Sequence, residues 1–491
     1  FRRRSHAMNV KVISTNVGRA LLVSALFMFL SMLVSVADGM DSAFAPLSIS
    51  FIITFIVGAF PFVFVKKSEA ISLKDGFLII VLSWVLSFIF GMLPYVLWGG
   101  EFSLINAWFE SVSGYTTTGA TILTEVESLP RSLIFWRSST HFIGGLGVVV
   151  FLLLIMPNAS PFRLRLTNIE LSSLTKEGYR FRSVRTVYVI VSVYVGLVVV
   201  ESVLLMIAGM TPFDAVNHAF STVSTGGFST KNNSIAYFDS VWIDLIIMVF
   251  MVLSSIHFGL LFTMFATRSF KPMKHPVVKY FIGCLIFMSV VCTLLLKFQG
   301  NYDSWGRALL DASFQVCSYA STTGFGSVES RHWPILVLLI LLAAGFQCGC
   351  SGSTTGGIKA DRMYIAFKAI GCHIKKRLHP SSAVVQIKID KHLVSDTAVM
   401  PVMLYIVLYF IICVVSMLLL ILAGVSTADA FSGIIATVGN VGPGLGDLGP
   451  LGNFNAQPAV AKLIYSLGMF LGRVEVFPVF VVLSLIFRKD K

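Results

Sequence analysis

The chain has 491 residues, of which 56% are hydrophobic and only 12% charged, with a mean hydropathy of +0.85. A soluble protein of this length carries about twice that charged fraction, so the composition excludes a soluble globular enzyme and predicts an all-α polytopic membrane protein. The formal net charge of +13 would suit a nucleic-acid binder, but its placement speaks for a lipid bilayer and against nucleic acid. Lys and Arg gather in Arg163–Arg185, Arg268–Lys279, Lys359–Lys391 and Arg488–Lys491, whereas the intervening loops hold Glu101, Glu110, Glu125, Glu127 and Asp447. This positive-inside asymmetry predicts that the basic loops and the C-terminus are cytoplasmic.

In chain order, the opening "FRRRSHAM" (residues 1–8) reads as a cloning remnant ending on a start at Met8. Ten apolar stretches then reach or exceed bilayer length: Leu21–Ala37, Phe44–Val65, Phe77–Trp98, Ile134–Met156, Val184–Met210, Val241–Ala266, Val277–Leu296, Pro334–Ile370, Ala398–Ala423 and Ala459–Phe487. An even number of spans with a cytoplasmic C-terminus puts the N-terminus inside as well. Seven cysteines lie mostly in or beside these stretches without disulfide or zinc spacing; Cys348 and Cys350 form a C-x-C that no second pair completes.

The first two spans form a two-helix domain, residues 9–70. The last eight form four pairs, giving units at 71–160, 161–270, 271–392 and 393–491, the third with a broken second helix. Within each pair the connector carries a half-apolar stretch and then a Gly/Ser/Thr cluster: "NAWFESVSGYTTTGAT" (106–121), "DAVNHAFSTVSTGGFS" (214–229), "DASFQVCSYASTTGFG" (311–326) and "DAFSGIIATVGNVGPG" (429–444). Laid over one another without gaps, each begins with Asp or Asn followed by Ala, and each has glycine at its fourteenth position: Gly119, Gly227, Gly324 and Gly442. One such cluster would be an unremarkable extracellular turn. Four at one register, each between two spans, predict re-entrant half-helices followed by extended backbone around a shared pore, because bare backbone at membrane depth must be buried in protein or line a wet cavity. Carbonyls of an extended Thr-x-Gly segment can replace the water shell of a cation, glycine admits the backbone angles needed to aim them inward, and half-helix C-terminal ends favour positive charge.

With "TTTGAT", "STGGFS", "STTGFG" and "NVGPGLG", the connectors resemble those of the Trk/Ktr/HKT superfamily of cation channels and transporters. The resemblance covers nearly the whole chain after Met8. It implies four fused M1–P–M2 pore units in pseudo-fourfold arrangement behind an N-terminal two-helix domain, in the inner membrane of a bacterium. It further implies a homodimer with a pore in each protomer, and a cytosolic nucleotide-binding regulatory subunit resembling TrkA docked on the basic loops, with no nucleotide bound by this chain itself. The implied filter segments are Thr117, Thr118 and Gly119; Thr225, Gly226 and Gly227; Thr322, Thr323 and Gly324; and Asn440, Val441 and Gly442. Potassium ions would be held by the backbone carbonyls of Thr118, Gly119, Thr225, Gly226, Thr323, Gly324, Val441 and Gly442. In the second unit two glycines compete: aligning on G-F selects Gly227, aligning on T-G selects Gly226. No unit carries the T-V-G-Y-G string of dedicated potassium channels, which implies weaker discrimination against sodium.

Two polar features interrupt the later spans. "GFQCGCSGSTTGG", Gly345–Gly357, breaks the eighth; it lacks the G-K-[ST] ending of a phosphate loop. Its resemblance to the family implies an intramembrane gate that includes Gly345, Gln347, Gly349, Gly352, Ser353, Thr354, Thr355, Gly356 and Gly357; a flexible link is the plainer alternative. Arg473 lies mid-way along the tenth span, about 21 Å from either end at helical rise, where a charge is costly and a functional candidate. The family position is an electrostatic barrier in the ion path; the alternative is a structural ion pair, for which Glu475 is on the wrong helical face. His141 and His218 read as satisfied core histidines. Glu110 could either tune cation density at the outer mouth or hydrogen-bond the filter backbone. A gated, moderately selective potassium channel is therefore expected. A potassium symporter coupled to protons or sodium is the alternative, disfavoured by the scarcity of intramembrane acids (Glu201, Glu475 and Asp244). No catalytic constellation points to an enzyme.

Overall fold

Lipid, rather than water, dictates which face of each helix is apolar here. The computed structural model describes residues 9–65, 72–154, 183–378, 387–389, 392–394 and 396–487. Residues 1–8, the basic loop up to residue 182, the part of the Lys359–Lys391 segment at 379–386 and 390–391, and the tail Arg488–Lys491 lie outside the described residues. Helices α1 (Val10–Ala37) and α2 (Phe44–Phe64) cross where Gly18 and Gly58 let their backbones approach: a Cβ on Gly18 would stand 2.6 Å from the Gly58 carbonyl oxygen. On α2 the buried stripe is small or polar, Ser50, Thr54 and Gly58 among it, while Ile56 (60% exposed) and Val63 (73%) point outward. Fatty outside and small inside is the packing expected in a bilayer, where helices gain little from hiding apolar surface.

Behind this pair the chain repeats one plan four times. The first repeat holds α3 (Leu73–Gly91), α4 (Leu93–Trp98), the short α5 (Leu104–Tyr115) and α6 (Arg131–Leu154). The second holds α7 (Ser183–Ile207), the short α8 (Pro212–Val223), α9 (Val241–Ser254) and α10 (Phe258–Thr267). The third holds α11 (Pro276–Phe298), the short α12 (Trp305–Ala320), α13 (Ile335–Gln347) and α14 (Ala360–Leu378). The fourth holds α15 (Asp396–Leu422), the short α16 (Thr427–Val438), α17 (Ala459–Arg473) and α18 (Phe477–Phe487). Among the described residues six helices, α1 among them, are long and apolar enough to cross a membrane, and two sharply bent pairs add two further spans if each is counted as one.

The short helices of 12 to 16 residues reach roughly 18–24 Å, too little for a hydrocarbon core of about 30 Å. Three of the four start on a hydroxyl cap: Ser103, Thr211 and Ser426 each accept the amide of the residue three further on.

The structure departs from the sequence expectation in its second helices. Val241–Ala266 and Ala459–Phe487 were expected as single spans, but α9 and α10 meet at 103° and α17 and α18 at 107°. Among the described residues, breaks therefore occur in three of the four repeats. Only the third carries glycines that announce it. An antiparallel pair of three-residue strands, β1 (Ile387–Ile389) and β2 (His392–Val394), adds a small non-helical element between α14 and α15.

Candidate functional site

The four short helices end in the same turn. At the end of α5, Thr118 N–H donates to Ser113 O (2.9 Å) and Thr117 N–H to Gly114 O (3.0 Å). The bonds recur as Gly226 to Ser221 and Thr225 to Thr222, Thr323 to Ser318 and Thr322 to Tyr319, and Val441 to Ala436 and Asn440 to Thr437. This is the Schellman arrangement, whose left-handed residue is usually glycine. Here it is Thr117, Thr225, Thr322 and Asn440, at φ +50°, +58°, +57° and +53°. A left-handed side-chain-bearing residue costs on the order of 1–2 kcal/mol, so each turn holds strain that its surroundings must offset.

Two residues later, Gly119, Gly227, Gly324 and Gly442 sit at φ +81°, +80°, +80° and +96°. The second repeat is thereby resolved: Gly227 is the structural counterpart of the other three glycines, while Gly226 matches Thr118, Thr323 and Val441. The carbonyls expected at Thr225 and Gly226 are one residue out of register; those of Gly226 and Gly227 correspond to the other pairs. Gly226 is small for another reason. The His141 ring fills the place its side chain would take.

The four segments also touch in a closed cycle. A Cβ on Gly119 would overlap the carbonyl oxygen of Gly226, one on Gly227 that of Thr323, one on Gly324 that of Val441, and one on Gly442 that of Thr118. Each repeat thus lays the carbonyl preceding its own glycine against the glycine of the repeat before it, and the fourth closes on the first. Asn440 reinforces the closure, donating to Thr118 Oγ1 (3.0 Å) and to Met469 O (2.8 Å).

Buried polar groups brace the ring from outside. Glu110 bonds Arg137 Nε at 2.6 Å and accepts Thr121 Oγ1 (3.0 Å) and Ile122 N–H (3.1 Å). Arg137 in turn donates to Ser229 O (3.1 Å), with its guanidinium 3.5 Å from the Phe228 ring centre. Glu110 therefore holds backbone at Ile122, three residues past Gly119 rather than in the expected filter itself, with its charge matched by an arginine that sequence reasoning passed over. His141 stacks on Phe228 (4.0 Å) and contacts Ser221 Oγ (3.3 Å). His218 contacts Asp214 O (2.7 Å) and Ser229 Oγ (2.9 Å). Both histidines are buried braces. On one side the ring opens into a small cavity that all four glycines line.

On the opposite side lies the segment from Cys348 to Lys359, between α13 and α14. Nearly all of it is buried. Gly356 N–H donates to Thr322 Oγ1 (3.2 Å), and the Gly356 backbone rests against Gly439 and Asn440. Thr354 Oγ1 donates to Val223 O (3.0 Å) at the end of α8, and Ser353 Oγ lies 2.8 Å from Thr355 Oγ1. Gly349 lies against Ser255, and Gly352 against His257 and, through its carbonyl, Phe258 N–H, so the segment fills the break between α9 and α10. Gly345 abuts Val441, Gly357 abuts Cys348, and Gln347 accepts Tyr280 Oη (3.3 Å). A flexible link, the plainer alternative, would be loosely held; the segment is pinned along its length.

Arg473, 3% exposed, donates to Thr354 O (2.5 Å) and Gly144 O (3.1 Å). No carboxylate pairs with it among the described residues. Glu475 instead pairs with Lys359 Nζ and Arg362 Nη2, each at 2.5 Å. The backbone of the break between α17 and α18, with Glu475 and Val476 at φ +61° and +59°, is thus tied to the start of α14. No local motif reveals this cluster, since its partners lie 116 and 113 residues apart.

A family model described as TrkH, cation transport protein, matches residues 46–491. The chain is 37% identical over 390 residues to the Trk system potassium uptake protein TrkH of Salmonella typhimurium, covering 79% of this chain and 80% of that protein. The protein of the same name from Escherichia coli K12 gives the same identity and coverage. The crystal structure of the potassium transporter TrkH from Vibrio parahaemolyticus superposes with a TM-score of 0.88 at 32% identity, covering 98% of this chain and all of that one.

The Glu110–Arg137 pair can be tested by stability. Glu110→Gln strands a buried guanidinium and should destabilise the fold by about 3–5 kcal/mol, whereas Glu110→Gln combined with Arg137→Met should recover most of the loss. Thermal unfolding of the purified variants checks this; additive losses in the double variant would mean that the two residues act separately.

Proposed function

This chain belongs to the TrkH family of cation transport proteins, a transport family rather than an enzyme family, and on that premise we propose that it takes up potassium ions across a bacterial inner membrane as a gated channel. The observation that carries the reading is the closed cycle of four glycines, each against the carbonyl before the next glycine. Backbone carbonyls so arranged can take the place of an ion's hydration shell, with Thr118/Gly119, Gly226/Gly227, Thr323/Gly324 and Val441/Gly442 as the coordinating pairs. The short, two-tiered stack supports moderate selectivity. Both termini are cytoplasmic in this reading, and ten spans cross the bilayer.

The segment Cys348–Lys359 is the gate. It lies against the ring opposite the cavity, and Arg473 both holds it through Thr354 O and places a positive charge in the path. Lys359 and Arg362, bonded to Glu475, tie the junction of the gate and α14 to the break between α17 and α18, and the last turn of α14 carries Lys375, Lys376 and Arg377. That helix is the handle for a cytosolic nucleotide-binding subunit resembling TrkA, and two protomers assemble, each with its own pore. One observation favours coupled symport as a second reading. The carboxyl of Glu201 on α7 is fully buried beside Thr222, with no ion-pair partner among the described residues, as a proton carrier could be.

Flux into proteoliposomes under separate potassium, sodium and proton gradients decides between the two. A channel gives passive potassium flux that ignores the proton gradient and survives Glu201→Gln; uphill potassium movement driven by protons, lost in that variant, would establish symport. Gly324→Val should lower potassium-over-sodium preference or stop conduction in protein that still inserts, because valine tolerates neither the left-handed backbone nor the overlap with Val441 O. Unchanged selectivity would overturn the ring assignment.

Arg473→Ala, and separately a shortened Cys348–Lys359 segment, should each raise basal potassium flux and leave little further activation by the cytosolic subunit. Low basal flux with normal activation in well-folded variants would reject the gate.

A further inference from the structure

The cavity over the ring is lined by two charged side chains among the described residues, Arg137 and Lys231. The first is neutralised by Glu110 at 2.6 Å. The second has no such partner: no carboxylate lies within ion-pair distance of Lys231 among the described residues. Its amide is tied to Ser229 Oγ (3.0 Å) and its Nζ rests over the Tyr237 ring, 4.3 Å from the centre. The ring's quadrupole steadies the ammonium where it stands without cancelling its charge. Lys231 follows Gly227 by four residues in the same extended segment, so the turn that fixes the glycine also fixes where this lysine leaves the chain.

We infer that Lys231 sets the rate at which cations reach the ring, acting as a fixed positive charge at the mouth that thins the local cation concentration. The inference rests on the reading of the ring as the ion path and adds to it a residue that limits throughput without touching the coordinated ion. A unit charge about 8 Å from a cation in water changes its local concentration roughly two- to threefold. Salt erases such an effect, because the screening length falls from about 30 Å at 0.01 M to about 3 Å at 1 M. A lysine that merely packs on Tyr237 would leave no such signature.

The test uses full-length protein in vesicles of uncharged phosphatidylcholine. Potassium flux is measured at about 10 mM potassium, alone and with N-methylglucamine chloride added to about 1 M. Lys231→Gln and Lys231→Met should each conduct about two- to threefold faster than wild type at low ionic strength and match it at high ionic strength. Lys231→Glu should gain more, and Lys231→Arg should match wild type throughout. The methionine variant keeps an apolar stem over Tyr237, so a folding defect peculiar to glutamine does not decide the outcome. Equal flux at low ionic strength, or a gain that salt does not remove, overturns the role of Lys231 while leaving the ring reading intact. Vesicles that pass no potassium even when the Cys348–Lys359 segment is shortened would instead overturn the ring reading itself.

Discussion

The structure depends on contact between a glycine Cα and a carbonyl oxygen, made four times and closed into a cycle. Nothing larger than hydrogen fits at Gly119, Gly227, Gly324 or Gly442, because the neighbouring repeat's backbone occupies the space. Backbone set this close at membrane depth is uncovered by water, so every amide around it needs a partner. The Schellman bonds at the four helix ends satisfy part of that demand. Further braces are Glu110 on α5, Arg137 on α6 and His218 on α8, with Asn440 acting from within the fourth turn. Strain at Thr117, Thr225, Thr322 and Asn440 is held in place by this surrounding lattice, as is usual where function needs an unusual backbone.

The same demand explains the broken second helices. Where α9, α13 and α17 stop, freed backbone groups are taken up by the Cys348–Lys359 segment: Cys350 N–H donates to Ser255 O (2.8 Å) and Gly352 O accepts Phe258 N–H (3.1 Å). Arg473, at the end of α17, completes the set through Thr354 O. The three breaks and the segment form one interlocked body beneath the ring. Displacing the segment would expose acceptors at Ser255, Val223 and Ser254 together, so its movement requires the flanking half-helices to move with it.

Most of the architecture was legible in the sequence because it is written in local composition. Apolar length gives spans, and four copies of one connector give the ring. Register within the connector was legible to one residue; the G-G pair at Gly226 and Gly227 left it open because both glycines are needed, one for its backbone angle and the other to clear His141. What stayed hidden is carried by distant pairs. The bend at Ser255–His257 has no proline or glycine to mark it, and that at Val474–Val476 depends on a carboxylate whose cations lie more than a hundred residues upstream. Arg137 was passed over because an arginine near a helix start in an apolar run looks like an ordinary interfacial charge until Glu110 is brought to it.

The repeats are equal in backbone and unequal in what surrounds them. His141 stands behind only the second segment, Asn440 replaces threonine only in the fourth, and Pro443 crowds only Gly324. In a pore made of four identical chains, any change to the lining appears in every quadrant at once, and most such changes are ruinous. Fusion into one polypeptide removes that constraint. A single quadrant can be altered by one substitution while three retain their chemistry, so the ring's lining can be graded in quarter steps, and its radial symmetry can be lowered without being lost.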